Sequence, residues 1–164
     1  MPGQSDPTLR SSVKKIDIAA LPVRRGSGYP APYDAPVAAR VRRRLADAAG
    51  LTAFGVNHLT LAPGCWSSQR HWHSHEDEFV FVVEGEVVLI TDAGEETLVA
   101  GDCAAFKAGD PDGHHLINRS GRDAVLLEIG NNEPTLDRTV YSDIDMISEP
   151  GDEFFRHRNG APYG

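Results

Sequence analysis

The sequence has no apolar run of about 18 residues, so no segment is long enough to cross a bilayer as a helix. Cysteine is scarce. Cys65 and Cys103 are the only two in 164 residues. Two are too few for a disulfide framework, and both are expected as free thiols in a reducing compartment. The first dozen residues lack the apolar core of a secretory signal, so the cytoplasm is the expected location. Positive charge is also in short supply. Sixteen Lys and Arg against 24 Asp and Glu leave a net charge of −8, which argues against a broad nucleic-acid surface. One basic run, Arg40 to Arg44, stands against that balance. It reads as a solvated face or a set of local ion pairs, because a nucleic-acid footprint extends over a whole face.

What is present is a series of short β-like segments. Residues 1–12 hold Pro, Gly and Ser without periodicity and read as a disordered tail, leaving 13–164 as a single domain. Three prolines in residues 26–36 rule out a regular helix or central strand there. That stretch is expected to lie extended over the domain, with Tyr29 and Tyr33 as packing residues. Val37 to Gly50 fits a helix stopped by Gly50, but Arg42 to Leu45 fits a short strand equally well. From residue 51 to about 130, strands are expected at 54–61, 78–83, 86–91, 97–100, 103–106, 114–118 and 124–129, with one more at 139–141. Turn signals separate them, and no long helical pattern intervenes. The spacing predicts an all-β sandwich or barrel. Phe79, Phe81 and Phe106 are expected to pack in the core or on the sheet. A polar tail dotted with Phe154, Phe155 and Tyr163 is expected to cover the outside of the barrel or reach a partner chain.

Chemistry concentrates in residues 69–78, Gln-Arg-His-Trp-His-Ser-His-Glu-Asp-Glu. Side chains two apart on a strand share a face. His71 and His73 can therefore hold one ion from one side, and Glu78 returns at the start of the next strand. Two imidazoles and a carboxylate suit a first-row divalent metal. His114 or His115 from a later strand could complete the set. Five of the seven histidines fall in these two segments. Around them, Gln69 shares the face of His71 and reads as a wall or orienting residue. His75 reads as a neighbour of the site rather than a ligand, and Lys107 as a solvated lysine or a steering charge at the mouth. His115 is expected to point away from His114.

These motifs resemble the cupin superfamily. Its first motif is matched by Gly64, His71, His73, Glu78 and Gly85, with Gly64 one residue further upstream than usual. Its second is matched by Gly101, Gly109, His114 and Asn118, with Lys107 in place of a proline and two extra residues before His114. The resemblance spans about residues 51–130. It implies a jelly-roll, double-stranded β-helix barrel with extended N- and C-terminal segments. It also implies one divalent metal (Zn, Mn, Fe or Ni) on His71, His73, Glu78 and His114.

The function implied is a metalloenzyme acting on a small oxygenated metabolite, as isomerase, lyase, decarboxylase or dioxygenase. The alternative is a non-catalytic barrel that binds or senses a small ligand. Expected partners are a small molecule and, because a lone barrel must cover its strand edges, a second copy in a homodimer. An isomerase calls for a second carboxylate or a lysine facing the metal, and a dioxygenase for iron in an apolar pocket.

Overall fold

A computed structural model describes residues 15–163. The expected tail at 1–12 lies outside the described residues. The strands, in chain order, are β1 (Arg24–Arg25), β2 (Val41–Arg44), β3 (Phe54–Leu61), β4 (His71–His73), β5 (Glu78–Glu84), β6 (Glu86–Thr91), β7 (Gly94–Val99), β8 (Cys103–Phe106), β9 (His115–Ile117), β10 (Ala124–Asn131), β11 (Thr139–Tyr141), β12 (Ile147–Ser148) and β13 (Phe155–Arg156). One short helix, α1 (Leu45–Ala49), lies between β2 and β3. No helix among the described residues is long and apolar enough to cross a membrane.

All pairings are antiparallel. A six-stranded sheet runs β1-β2-β3-β10-β5-β8, a three-stranded sheet β7-β6-β9 and a four-stranded sheet β13-β12-β11-β4. The all-β class expected from strand spacing is the one observed. Alternation sets the inner face. Leu59 and Leu61 of β3, Val80 and Val82 of β5, Val87 and Leu89 of β6, and Leu126 of β10 are buried together with Leu98 and Leu116. Each fully buried Val or Leu contributes about 1.5–3 kcal/mol of transfer free energy, so this cluster dominates the stability of the barrel.

The same alternation decides between core and sheet surface for two phenylalanines. Phe79 and Phe81 sit between Val80 and Val82 and therefore face outward, 38% and 37% exposed. Phe106 does pack against the core.

The segment left open at 37–50 contains both alternatives in sequence. Arg42 and Arg44 pair with Leu59 and Asn57 of β3, and the chain then turns into α1. Gly50 ends that helix in the left-handed conformation, at φ 70°. The basic run is thus a strand whose side chains form ion pairs, the second of the two alternatives expected for it. Arg40 is buried and donates to the carbonyls of Gly26 and Ser67. Arg42 pairs with Glu128 and Arg44 with Asp47.

Gly85 makes the tight link between β5 and β6 at φ +79°, where an added Cβ would lie 2.8 Å from the Asp123 carbonyl oxygen. Gly85→Ala is therefore expected to destabilise the fold by about 1–3 kcal/mol, read as a lower denaturant midpoint at unchanged slope.

Candidate metal centre and its cavity

Strand parity brings His71 and His73 to one side of β4. The His71 amide donates to the His114 carbonyl at 3.1 Å and the His114 amide to the His71 carbonyl at 2.9 Å, an antiparallel bridge just before β9. Directly opposed residues project to the same face, so His114 stands beside His71. Glu78 enters from the first position of β5.

The side chains converge on one carboxylate oxygen. Glu78 Oε2 lies 3.6 Å from His71 Nε2, 3.6 Å from His73 Nε2 and 2.8 Å from His114 Nε2. Donors held at about 2.0–2.2 Å from one cation lie roughly 3–3.5 Å from one another, so this spacing fits a shared ion. His71, His73 and Glu78 each offer a donor atom within 4.8 Å of the others. Glu78 Oε2 is buried, and its 2.8 Å contact with His114 Nε2 is not aligned as a hydrogen bond, which leaves the oxygen able to take a cation.

Two of the three rings have a fixed tautomer. His71 Nδ1 lies 2.8 Å from the Gln69 carbonyl and His73 Nδ1 lies 2.6 Å from Asp137 Oδ2. Both oxygens are acceptors, so Nδ1 carries the proton and the Nε2 lone pair is aimed at Glu78. The His114 ring stacks on Phe106, with centroids 3.4 Å apart. Burial lowers the His114 pKa, an effect that Glu78 only partly offsets. Burial also works against charge on His73, but the hydrogen bond to Asp137 and the nearby Glu78 and Glu76 carboxylates outweigh it and raise its pKa. At Glu78, burial favours the neutral acid. The surrounding His114, His71 and His73 rings reverse this and hold the carboxyl well below its usual range.

The remaining sequence candidates lie around this cluster and not in it. Gln69 is buried and donates to the Tyr33 carbonyl at 2.7 Å, which anchors the proline-rich segment. His75 is exposed, and its backbone N–H donates to Asp137. His115 faces the opposite way from His114, as expected. It is buried edge-on against Trp66 and bonded to the Ser68 carbonyl, which removes it from any pocket role. Lys107 is exposed at the rim of a smaller cavity of about 290 Å³ that His114, Glu78 and Trp72 also line.

Sequence reasoning missed three contributors. Asp137 comes from the loop before β11, 64 residues beyond the histidine it orients, and no local pattern announces it. Glu76 lies two positions before Glu78 and lines both cavities. Its place in the acidic stretch after His75 was the available signal. Burial pushes the Glu76 carboxyl up, against the hydrogen bond from the Glu133 amide. Tyr141 on β11 is buried beside His71, with ring centroids 5.8 Å apart, and burial raises its pKa well above the ordinary phenol range.

A larger cavity of about 530 Å³ opens from the cluster. Its lining includes His71, His73, Glu76 and Glu78 of the cluster, the aromatic Tyr29 and Tyr141, and the polar Asn57, Asn131, Arg42 and Arg44. Tyr29 meets Tyr141 at 5.5 Å and Phe155 at 5.3 Å, so the proline-rich segment and the C-terminal strands pack together here.

Residues 57–130 match the family described as "Cupin domain". A crystal structure of a sugar phosphate isomerase from a cupin superfamily, from Silicibacter pomeroyi, is 44% identical over 92% of this chain and 97% of that one, with a TM-score of 0.86. A candidate sugar phosphate isomerase from Acidithiobacillus ferrooxidans is 27% identical over 76% of this chain and 74% of that one, at a TM-score of 0.63. A predicted oxalate decarboxylase from Thermotoga maritima shares the fold at 19% identity, over 73% of this chain and 99% of that one, with a TM-score of 0.57. No curated protein matches the sequence.

Proposed function

The chain belongs to the cupin superfamily, and from that premise we propose that it is a metal-dependent isomerase interconverting the aldose and ketose forms of a small phosphorylated sugar. His71, His73, Glu78 and His114 hold one divalent transition ion, a donor set that suits zinc, manganese, iron and nickel alike. The observation that carries the reading is the shared 530 Å³ cavity, in which a second, burial-perturbed carboxylate and polar walls face the same space as the histidine cluster. The name of the Silicibacter pomeroyi protein adds support. A polar lining is the opposite of the apolar pocket expected of an oxygen-activating iron enzyme.

An ion held by these residues would supply Lewis-acid polarisation of the substrate carbonyl. Glu76 takes the proton from the carbon beside that carbonyl and returns it to the neighbouring carbon, while a proton passes between the two oxygens. No atom is gained or lost. A carboxylate whose pKa is raised by burial is a stronger base than a solvated one. Asn57 and Asn131 offer amides to the sugar hydroxyls, and Tyr141, kept neutral, can donate a hydrogen bond.

The test is incubation with aldose phosphates in D₂O, followed by NMR. The expected result is ketose formation with deuterium entering the exchanged carbon, both stopped by a chelator. A metal-loaded protein that binds these sugars and changes none of them would return the chain to the non-catalytic, ligand-binding reading.

Asp137 orients His73 on this account. Asp137→Asn is expected to weaken metal affinity about 10–100-fold in a chelator competition while leaving the fold intact.

The outer face of β5 exposes Phe79, Phe81 and Val83 next to Leu127 and Ile129 of β10, and we propose this face for the homodimer contact. Wild-type protein is expected to scatter light as a dimer at micromolar concentration, and Phe79→Glu with Phe81→Glu as a monomer. A monomeric wild type would remove the proposal.

A further inference from the structure

Beyond the histidine cluster, the cavity has a second charged feature that the isomerase chemistry does not use. Next to it lies a recess of about 370 Å³ walled by Arg24, Arg25, Arg40, Arg42 and Arg44, with Gly26, Ser27 and Gly28 completing the lining. Ser27, Gly28, Arg40, Arg42 and Arg44 line both spaces, so the recess adjoins the cavity that His71 and His73 line. Five guanidinium groups surround this recess in a chain of net charge −8.

Strand geometry explains the concentration. Arg40, Arg42 and Arg44 alternate along β2 and its approach and point inward, and Arg24 of β1 pairs directly with Arg42, on the same face. Their charges are not all absorbed by the fold. Arg40 is a strut, with its donors spent on the Gly26 and Ser67 carbonyls. Arg42 gives one nitrogen to Glu128, while its Nε is buried without an acceptor. Arg44 gives one nitrogen to Asp47 and stays half-exposed. Arg24 and Arg25 are exposed and have no ion-pair partner among the described residues. A buried guanidinium donor without an acceptor, beside further unspent guanidiniums, matches a compact polyanion with several acceptor oxygens in fork geometry.

We propose that the arginine recess of β1 and β2 is the subsite for the phosphate group of the substrate, with Arg24, Arg42 and Arg44 as its donors. This rests on the sugar-phosphate reading and sharpens it. The phosphate is anchored at the arginine end, and the chain of the sugar extends toward the histidine cluster at the other. Specificity then resides in β1 and β2, outside the strands that carry the metal ligands.

The test is calorimetric titration of the purified protein with D-ribose and with D-ribose 5-phosphate, each alongside metal analysis. Wild type is expected to prefer the phosphorylated sugar. Arg24→Ala with Arg44→Ala should weaken ribose 5-phosphate about ten-fold or more and leave ribose binding and metal content unchanged. Asp47→Ala, which removes the same ion pair but keeps Arg44, should retain the preference and so separates anion binding from a change in the β2–α1 turn. An undiminished preference in the double arginine variant, or no preference in wild type, would overturn the subsite. Loss of the isomerase reading looks different: the phosphate preference would persist and follow the arginines, while the protein carried no metal or left the sugars unchanged.

Discussion

Replacing His71 and His114 together by alanine is expected to strip the protein of bound metal while leaving a folded barrel. The two rings sit side by side across a backbone bridge, and their Nε2 atoms lie 3.6 and 2.8 Å from Glu78 Oε2. Only His73 and Glu78 would then remain as donors. Losing a residue that merely orients a ligand lowers metal affinity about 10–100-fold, so losing two ligands lowers it further, below retention through purification. The backbone pairing that positions them survives, because the bridge uses main-chain atoms. The cost to the fold is the lost packing of His114 on Phe106, about 2–4 kcal/mol for a large-to-small change in a buried site. Circular dichroism unchanged from wild type, with metal absent by mass spectrometry, is the expected pair of results. Full metal occupancy in this variant would refute the ligand assignment.

The largest kinetic effect is expected at Glu76. Glu76→Gln preserves shape and keeps an oxygen to accept the hydrogen bond that the Glu133 amide donates at 2.7 Å in the native protein. What it removes is the base. General acid–base catalysis contributes about 10²–10⁴-fold, so kcat for sugar-phosphate isomerisation should fall by that factor with KM and metal content unchanged. A kcat within a few-fold of wild type would give the proton transfer to another group in the cavity.

The all-β fold was legible because its cause is local. Turn residues such as Pro63-Gly64 and Glu84-Gly85 punctuate short β-branched runs, and alternation in β5 and β10 fixes which face is buried. The histidine pair on β4 was legible for the same reason, since period-2 parity alone places His71 and His73 on one side. Parity also separated His114 from His115, which the structure turns to opposite faces. What was not legible depends on chain crossings. Asp137 reaches His73 only because β11 pairs with β4, a contact that no window of sequence contains. Arg24 meets Arg42 through a pairing of strands 18 residues apart, so sequence gives the run Arg40 to Arg44 as a solvated face or local ion pairs, and the recess that it lines with Arg24 is not visible there. For Phe79 and Phe81, hydrophobicity alone leaves core and sheet surface open, and the parity of Val80 and Val82 puts them on the outer face of the sheet.

Metal analysis by mass spectrometry on tag-free protein purified without chelator tests the central claim most directly. The account predicts close to one divalent transition-metal ion per chain, bound again after stripping and re-addition. A chain that is metal-free as purified and refuses zinc, manganese, iron and nickel on titration would contradict it.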